Sequence, residues 1–378
     1  MLYVEKTKEI NYFKQFDYML LISVVLLTVF GIIVLGSATK EMTNGAKLVH
    51  TQVLSFIAGV IIAIILAFID YRVYRIIGIF LYLLSVALLL FVLYKGVGEQ
   101  TWGSRSWLAI PVLGGFQPSE IGKITFILIA SMFLERLKEN PNFKDTIKLL
   151  FYCAVPISLV ALEPDYGMAI VFVFILAIII FVFGVKYRFL LIFAGAIMAC
   201  APLVWFFVLK DQERRSRILE FFTPGKDPLG SGYQVDRAQM AIGSGRFIGS
   251  GLYKGIQTQS GGVPVIQSDF IFAAVGEELG FIGAMALLIV IFIILLRSIY
   301  VAKNANEPYG SFVAAGIAGM FGFDFIQNVG MCLGIMPVTG LPLPFVSSGG
   351  SFMLTNYIAV GILLSISIRR RRTIFNAT

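Results

Sequence analysis

Residues 269–297 read DFIFAAVGEELGFIGAMALLIVIFIILLR. An acid opens the stretch at Asp269, two more stand at Glu277 and Glu278, and from Phe281 to Leu296 nothing is charged. A helix rising 1.5 Å per residue needs about 20 apolar residues to cross ~30 Å of hydrocarbon. The stretch therefore predicts a membrane-spanning helix with carboxylates at its N-terminal end. Runs of the same kind lie upstream at 18–37, 50–69, 73–95, 117–136, 149–164, 165–184 and 188–209, and downstream at 309–336 and 350–368.

The bulk composition agrees with ten spans. The 378 residues are 58% hydrophobic and only 14% charged, with a mean hydropathy of +0.87. A soluble domain carries roughly a quarter charged residues, so a soluble enzyme, a disordered chain and a secreted disulfide scaffold are all excluded. Cys153, Cys200 and Cys332 sit in apolar runs without metal-ligand spacing and read as buried thiols. His50 is the only histidine, which argues against a histidine metal site or a Ser-His-Asp triad. It reads as an interfacial residue opening the second span. Met1 to Phe16 are charged and mixed, and the apolar run that follows lacks a small-residue cleavage site, so it reads as a retained anchor.

Cations set the orientation. Lys6, Lys8 and Lys14, then Arg72 and Arg75, Arg136 to Lys148, Lys186 and Arg188, Arg297 and Lys303, and Arg369 to Arg372 all fall on one side of a ten-span chain. Both termini are then cytoplasmic, and topology explains much of the +8 net charge. The expectation is an all-α polytopic protein, one membrane domain over 1–378, with a large extracytoplasmic loop at 210–268. That loop is rich in Lys and Arg, Arg217 among them. It suits a phosphate-bearing substrate exposed at the outer face, or else a solvated loop drawn to anionic lipid. No Walker or Gly-x-Gly-x-x-Gly unit is present, so nucleotide binding finds no support.

Ionisable residues inside spans are costly and mark function or pairing. Glu120 and Lys123 are three residues apart on one helix face, with Pro118 in the first turn. They form a structural ion pair, or Lys123 faces a phosphate while Glu120 holds it. Asp269 caps its helix, or it takes a proton from a sugar hydroxyl beside the cationic loop. Glu277 and Glu278 point to different faces and meet polar partners in the bundle. Asp324, Gln327 and Asn328 share a face and read as interhelical hydrogen-bonding groups. The Pro-rich loop from Met336 to Ser351 ends in Gly349 and Gly350, which permit a sharp turn with free N–H groups exposed. Ser37-Ala38-Thr39-Lys40 matches Ser-x-x-Lys but lacks the Lys-Thr-Gly and Ser-Asp-Asn companions of acylating enzymes.

Eight segments together carry a resemblance: Gly103–Leu108 (GSRSWL), Gln117–Glu120 (QPSE), Glu163–Gly167 (EPDYG), Asp227–Gln234 (DPLGSGYQ), Ser268–Ala273 (SDFIFA), Gly276–Gly280 (GEELG), Asn328–Met331 (NVGM) and Leu341–Ser347 (LPLPFVS). In this order they resemble the SEDS family of bacterial cell-envelope proteins. Gly334-Ile335-Met336-Pro337 and the short tails point to its RodA branch rather than to the FtsW division branch or a sporulation paralogue. The resemblance implies a peptidoglycan glycosyltransferase in the bacterial cytoplasmic membrane that polymerises lipid II at the outer face for elongation. It further implies Asp269 as general base, with Glu120, Lys123, Arg105, Arg217, Ser347 and Gly349 around the substrate. A class B penicillin-binding protein is the implied partner, and the lipid-linked substrates are lipid II and a glycan on polyprenyl pyrophosphate. A divalent cation, magnesium or manganese, could help neutralise the pyrophosphate; no organic cofactor is implied. Two departures stand out: Ser348 where the family often has Tyr, and Glu163 where Gln is frequent. The competing reading is a lipid II flippase, whose binding groups would sit near the bilayer midplane; a third is a scaffold that recruits the transpeptidase.

Overall fold

The computed structural model describes residues 12–98, 105–110, 114–184 and 230–370, with single positions at 195, 219, 221 and 223. Within these, the main helices are α1 (Tyr18–Ala38), α2 (Gly45–Phe68), α3 (Tyr71–Lys95), α4 (Pro118–Glu139), α5 (Phe143–Leu162), α6 (Tyr166–Phe183), α7 (Ser231–Ser244), α8 (Ile271–Asn304), α9 (Pro308–Cys332) and α10 (Gly350–Ile368). A short antiparallel hairpin pairs β1 (Leu108–Ile110) with β2 (Gly114–Phe116) ahead of α4. The expected seventh span at 188–209 lies outside the described residues, as do Arg217 and Cys200.

Helix starts follow from local chemistry. Asp17, Asp70, Asn142 and Asp165 each accept a main-chain N–H of the first turn of α1, α3, α5 and α6, which satisfies an otherwise orphaned donor. Pro118 and Pro308 occupy first turns, where a missing N–H costs nothing. Two helices begin earlier than the apolar runs suggest. α2 starts at Gly45, so His50 is an exposed second-turn residue rather than the opening one, and α5 starts at Phe143 behind its Asn142 cap.

Burial sorts the helices into two layers. α4, α9 and α10 are enclosed on nearly every side; α10 leaves only Leu354 and Ile358 partly exposed. The others form a surrounding layer whose outward residues, among them Leu26, Ile61, Phe80, Phe151 and Phe292, are large, apolar and exposed. Such a surface belongs against lipid. Eight of the described helices are long and apolar enough to cross a membrane. α4 matches them in length but carries Glu120, Lys123 and Glu135, which it can do because its neighbours are protein rather than lipid. Small residues let helix axes close up: a side chain at Gly361 would run into Ala63 and Leu66, and one at Gly59 into Tyr357.

Ion pairs gather at one end of the bundle. Arg297 grips Asp17 with its closest contact at 2.6 Å, Arg72 meets Glu307 at 2.6 Å, Arg75 meets Glu135 at 3.0 Å and Arg369 meets Asp70 at 3.3 Å. These join the start of α1, the α2–α3 turn, the end of α4, the α8–α9 connection and the end of α10. That grouping is consistent with an alternating course through the described helices.

α8 is not continuous. Gly280 leaves the helical region at φ +66°, and residues 245–251 mend the break. Phe281 and Ile282 donate their N–H groups to the Arg246 and Phe247 carbonyls at 2.8 and 3.2 Å, while the Glu277 and Glu278 carbonyls accept from Ser250 and Gly251 at 3.0 and 2.9 Å. Part of the 210–268 loop is thus a strap bonded to α8 from both sides. Four backbone groups at the kink thus find partners in the strap, as a break in apolar surroundings demands.

Candidate active site

Opposite the ion-pair end lie the starts of α4, α8 and α10, the α5–α6 turn and the end of α9. Asp269 sits there, half-buried, in the turn that leads into α8. It does not cap the helix: Phe270 holds the cap position, and no side-chain cap bond is made. The turn is instead fixed through its main chain. Asn328 Nδ2 donates to the Asp269 carbonyl at 2.8 Å, and Cys332 Sγ reaches the same oxygen at 3.7 Å. Ser347 Oγ donates to the Ser268 carbonyl, and the Ser348 N–H donates to that of Gln267 at 2.9 Å. Gly340, at φ +70°, passes so close that a Cβ there would stand 3.5 Å from Asp269 Oδ2. A Cβ there would make an ordinary contact with the carboxylate, but the positive φ would strain any residue that carries one.

Ser347 and Gly349 therefore do internal work. The Ser347 hydroxyl also accepts the Leu343 N–H at 2.8 Å, and Gln52 on α2 clamps the loop by donating to the Ser347 carbonyl at 2.8 Å and accepting the Gly349 N–H at 3.0 Å. The expectation of a free N–H at Gly349 gives way to this clamp. A buried N–H in a tight turn needs a partner, and the amide of Gln52 is the one within reach. Gln52 escaped the sequence reading, although a carboxamide inside an apolar run was the available signal.

Glu120 and Lys123 meet a third partner. Lys123 Nζ lies 3.1 Å from Glu120 Oε2 and 3.2 Å from Asp324 Oδ2, and all three side chains are about 1% exposed. The Phe352 ring of α10 stands 5.5 Å from the same nitrogen. Of the two readings of this pair, the structure realises the internal one and extends it to a triad bridging α4 and α9. Among the described residues the Lys123 ammonium is enclosed, with carboxylates on two sides. The other polar residues on that face of α9 bond to turns and loops rather than to a neighbouring helix as expected, Gln327 to the Pro337 carbonyl and Asn328 to those of Asp269 and Leu341, each at 2.8 Å. One turn of α9 thus separates the triad from the base.

Glu277 accepts from the Gln257 and Thr258 N–H groups at 2.8 Å and from the Thr258 hydroxyl at 2.6 Å. Glu278 accepts from Ser37 Oγ at 2.8 Å and Gln259 Nε2 at 2.9 Å. Both carboxylates tie the strap to the bundle, and Ser37 is accounted for by that bond. Arg105 lies exposed in the connection before β1. α7 is held to the end of α9 by Gln239 Nε2, 2.9 Å from the Leu333 carbonyl, and brings Arg237 to this end over the Tyr233 ring. Among the described residues no three His, Cys, Asp or Glu side chains converge to hold a metal. The described residues do not form a dedicated metal cage.

Glu163 follows α5 in the turn before α6. Its side chain is buried and both carboxylate oxygens lack a hydrogen-bond partner. Burial, with the Asp165 carboxylate adding to it, pushes its carboxyl up to about 8. At neutral pH it is a neutral acid, close in shape to the Gln that the family resemblance expects. An acid that ionises near 4.5 when unfolded and about 8 when folded binds the extra proton only in the fold. Stability then falls as pH rises through that interval and levels off above it. Glu163→Gln should melt with the wild type at pH 5 and above it at pH 8.5, read as thermal stability in detergent; parallel curves at both pH values would refute this account.

A family model described as FTSW_RODA_SPOVE, cell cycle protein, matches residues 17–372. A probable peptidoglycan glycosyltransferase FtsW of Geobacter metallireducens is 33% identical over 95% of this chain and 96% of its own. The peptidoglycan glycosyltransferase MrdB of Escherichia coli K12 is likewise 33% identical, over 94% of each chain. A chain solved within a peptidoglycan synthase complex, in work on the coordination of polymerization and crosslinking, superposes with a TM-score of 0.79 at 29% identity, covering 93% of this chain and 97% of that one.

Proposed function

The chain belongs to the FtsW–RodA–SpoVE family of cell cycle proteins, and from that premise we propose that it polymerises lipid II at the outer face of the cytoplasmic membrane with Asp269 as general base. It is a peptidoglycan glycosyltransferase, as its relatives are named. The observation that carries the base assignment is the position of Asp269: half-buried at the end of the bundle away from the ion pairs, in a turn fixed by α9 and by the loop before α10, with Gly340 facing its carboxylate.

The reaction follows from that position. Asp269 accepts the proton of the GlcNAc 4-hydroxyl as its oxygen attacks the anomeric carbon of the lipid-linked strand. The bond from that carbon to the pyrophosphate oxygen breaks, its electron pair leaves with the polyprenyl pyrophosphate, and the α-linked donor becomes a β-linked product in one inverting step. Charge growing on the leaving group is met by the cations Arg105 and Arg237 at this end, and Arg217 is the further cation that the family resemblance assigns to this role. A divalent cation entering with the pyrophosphate would need few protein ligands, since magnesium is often held by one or two carboxylates and substrate phosphates. The termini face the cytoplasm, where the ion-pair end holds its cations. The role is elongation and rod shape, with FtsW-type division as the competing one, and the partner is a class B penicillin-binding transpeptidase.

The broken helix α8 is the one feature that favours a transporter, because discontinuous helices build many transport sites. Here the break is closed by the strap, and its acids are bonded to loop residues rather than left to bind cargo. Incubating the purified protein with lipid II, with and without the transpeptidase, should yield glycan strands resolved by length on a gel. Lipid II that changes leaflet without being polymerised would support the transporter instead.

A further inference from the structure

We propose that Asn328 is a positioning residue that sets the distance between the Asp269 carboxylate and the Gly340 loop that faces it. The inference rests on Asp269 acting as the base. The carboxamide of Asn328 is wholly buried, and its Nδ2 donates to two main-chain oxygens, that of Asp269 and that of Leu341, each at 2.8 Å. These oxygens belong to different segments. One is the turn that carries the base; the other is the loop on whose Gly340 an added Cβ would come into contact with Asp269 Oδ2. A single planar amide on α9 therefore ties the base and the loop facing it to the same point.

The mounting beneath Asn328 is rigid. It stands on an enclosed helix, one turn from Asp324 in the Lys123 triad and next to Gln327, which holds the Pro337 carbonyl at the root of the same loop. Geometry matters here because a displacement of about 1 Å can cost on the order of 10²-fold in rate. Neither bond touches the carboxylate itself, so losing them moves the base without changing its chemistry. Binding of the lipid tail and of the peptide stem need not change.

The test is Asn328→Leu, close in volume and unable to donate, with Asn328→Ser as the second variant because it stays polar but is too short to span both oxygens. Each is purified alongside wild type and Asp269→Asn and assayed on lipid II, with rates expressed per folded, monodisperse protein. The expected result is a kcat roughly 10- to 100-fold lower, with KM within about threefold of wild type, a loss confined to the chemical step. A kcat within about twofold of wild type for both variants overturns the proposal, as does a loss that disappears once the folded fraction is counted. Asp269→Asn separates the two readings. If it is inactive while the Asn328 variants are fully active, only this inference fails; if it is active, the base assignment fails with it.

Discussion

Asp269→Asn is expected to lose polymerisation by roughly 10²–10⁴-fold or more while still folding and inserting, the range that general-base help supplies. The amide matches the carboxylate in size but cannot take the acceptor's proton at neutral pH. The fold should tolerate it, because the bonds from Asn328, Cys332, Ser347 and Ser348 all end on main-chain oxygens of residues 267–269. Glycan length and yield from lipid II, normalised to monodisperse protein, measure the effect. Near-normal strands from this variant would remove Asp269 as the base. Equal loss of polymer and of folded protein would show that the residue is structural. Asp269→Glu makes a useful companion: it keeps the base but pushes it toward Gly340, so an intermediate rate separates misplacement from absence.

What could be read from the chain alone depended on how far apart the interacting residues lie. Spans are local and were legible: the run at 165–184 is α6 to within a residue at each end, and 350–368 is α10. Helix ends drifted where polar residues extend a helix beyond its apolar part, as at Lys47 and His50 in α2, since hydropathy does not register a capped polar turn. The ion pair at Glu120 and Lys123 was visible because three-residue spacing puts both on one face. Its third member was not, since Asp324 lies 201 residues away and only packing of α4 on α9 brings it in. The same limit hid the break at Gly280. Gly-Glu-Glu-Leu-Gly inside a span hints at irregularity, but the kink persists because a strap some thirty residues upstream returns its hydrogen bonds. Asp269 itself stood out as an acid at the head of an apolar run, while the carboxamides that fix its surroundings, Gln52 and Asn328, became interpretable only once the loop at 337–349 had a position.

The second large effect concerns Lys123. Lys123→Met leaves the Glu120 and Asp324 carboxylates enclosed without their shared counter-charge, both about 1% exposed. Removing one partner from a buried ionic group costs about 3–5 kcal/mol, which for a chain of this length corresponds to an apparent melting temperature roughly 5 °C lower. The Phe352 ring 5.5 Å from the ammonium also loses its cation. Replacing all three groups at once, Glu120→Gln, Lys123→Met and Asp324→Asn, removes the unpaired charge and should recover most of the loss, because buried ion clusters are seldom more stable than neutral groups of similar volume. Thermal stability in detergent compares the two variants, and a single Lys123→Met as stable as wild type would show that the carboxylates carry no net charge in the fold. The neutral triple variant then separates structure from chemistry. If the triad serves only to brace α4 against α9 beneath Asn328, that variant should polymerise lipid II at close to the wild-type rate. If it folds well and is inactive, the Lys123 charge acts on the substrate after all, and the triad must open during turnover to let it do so.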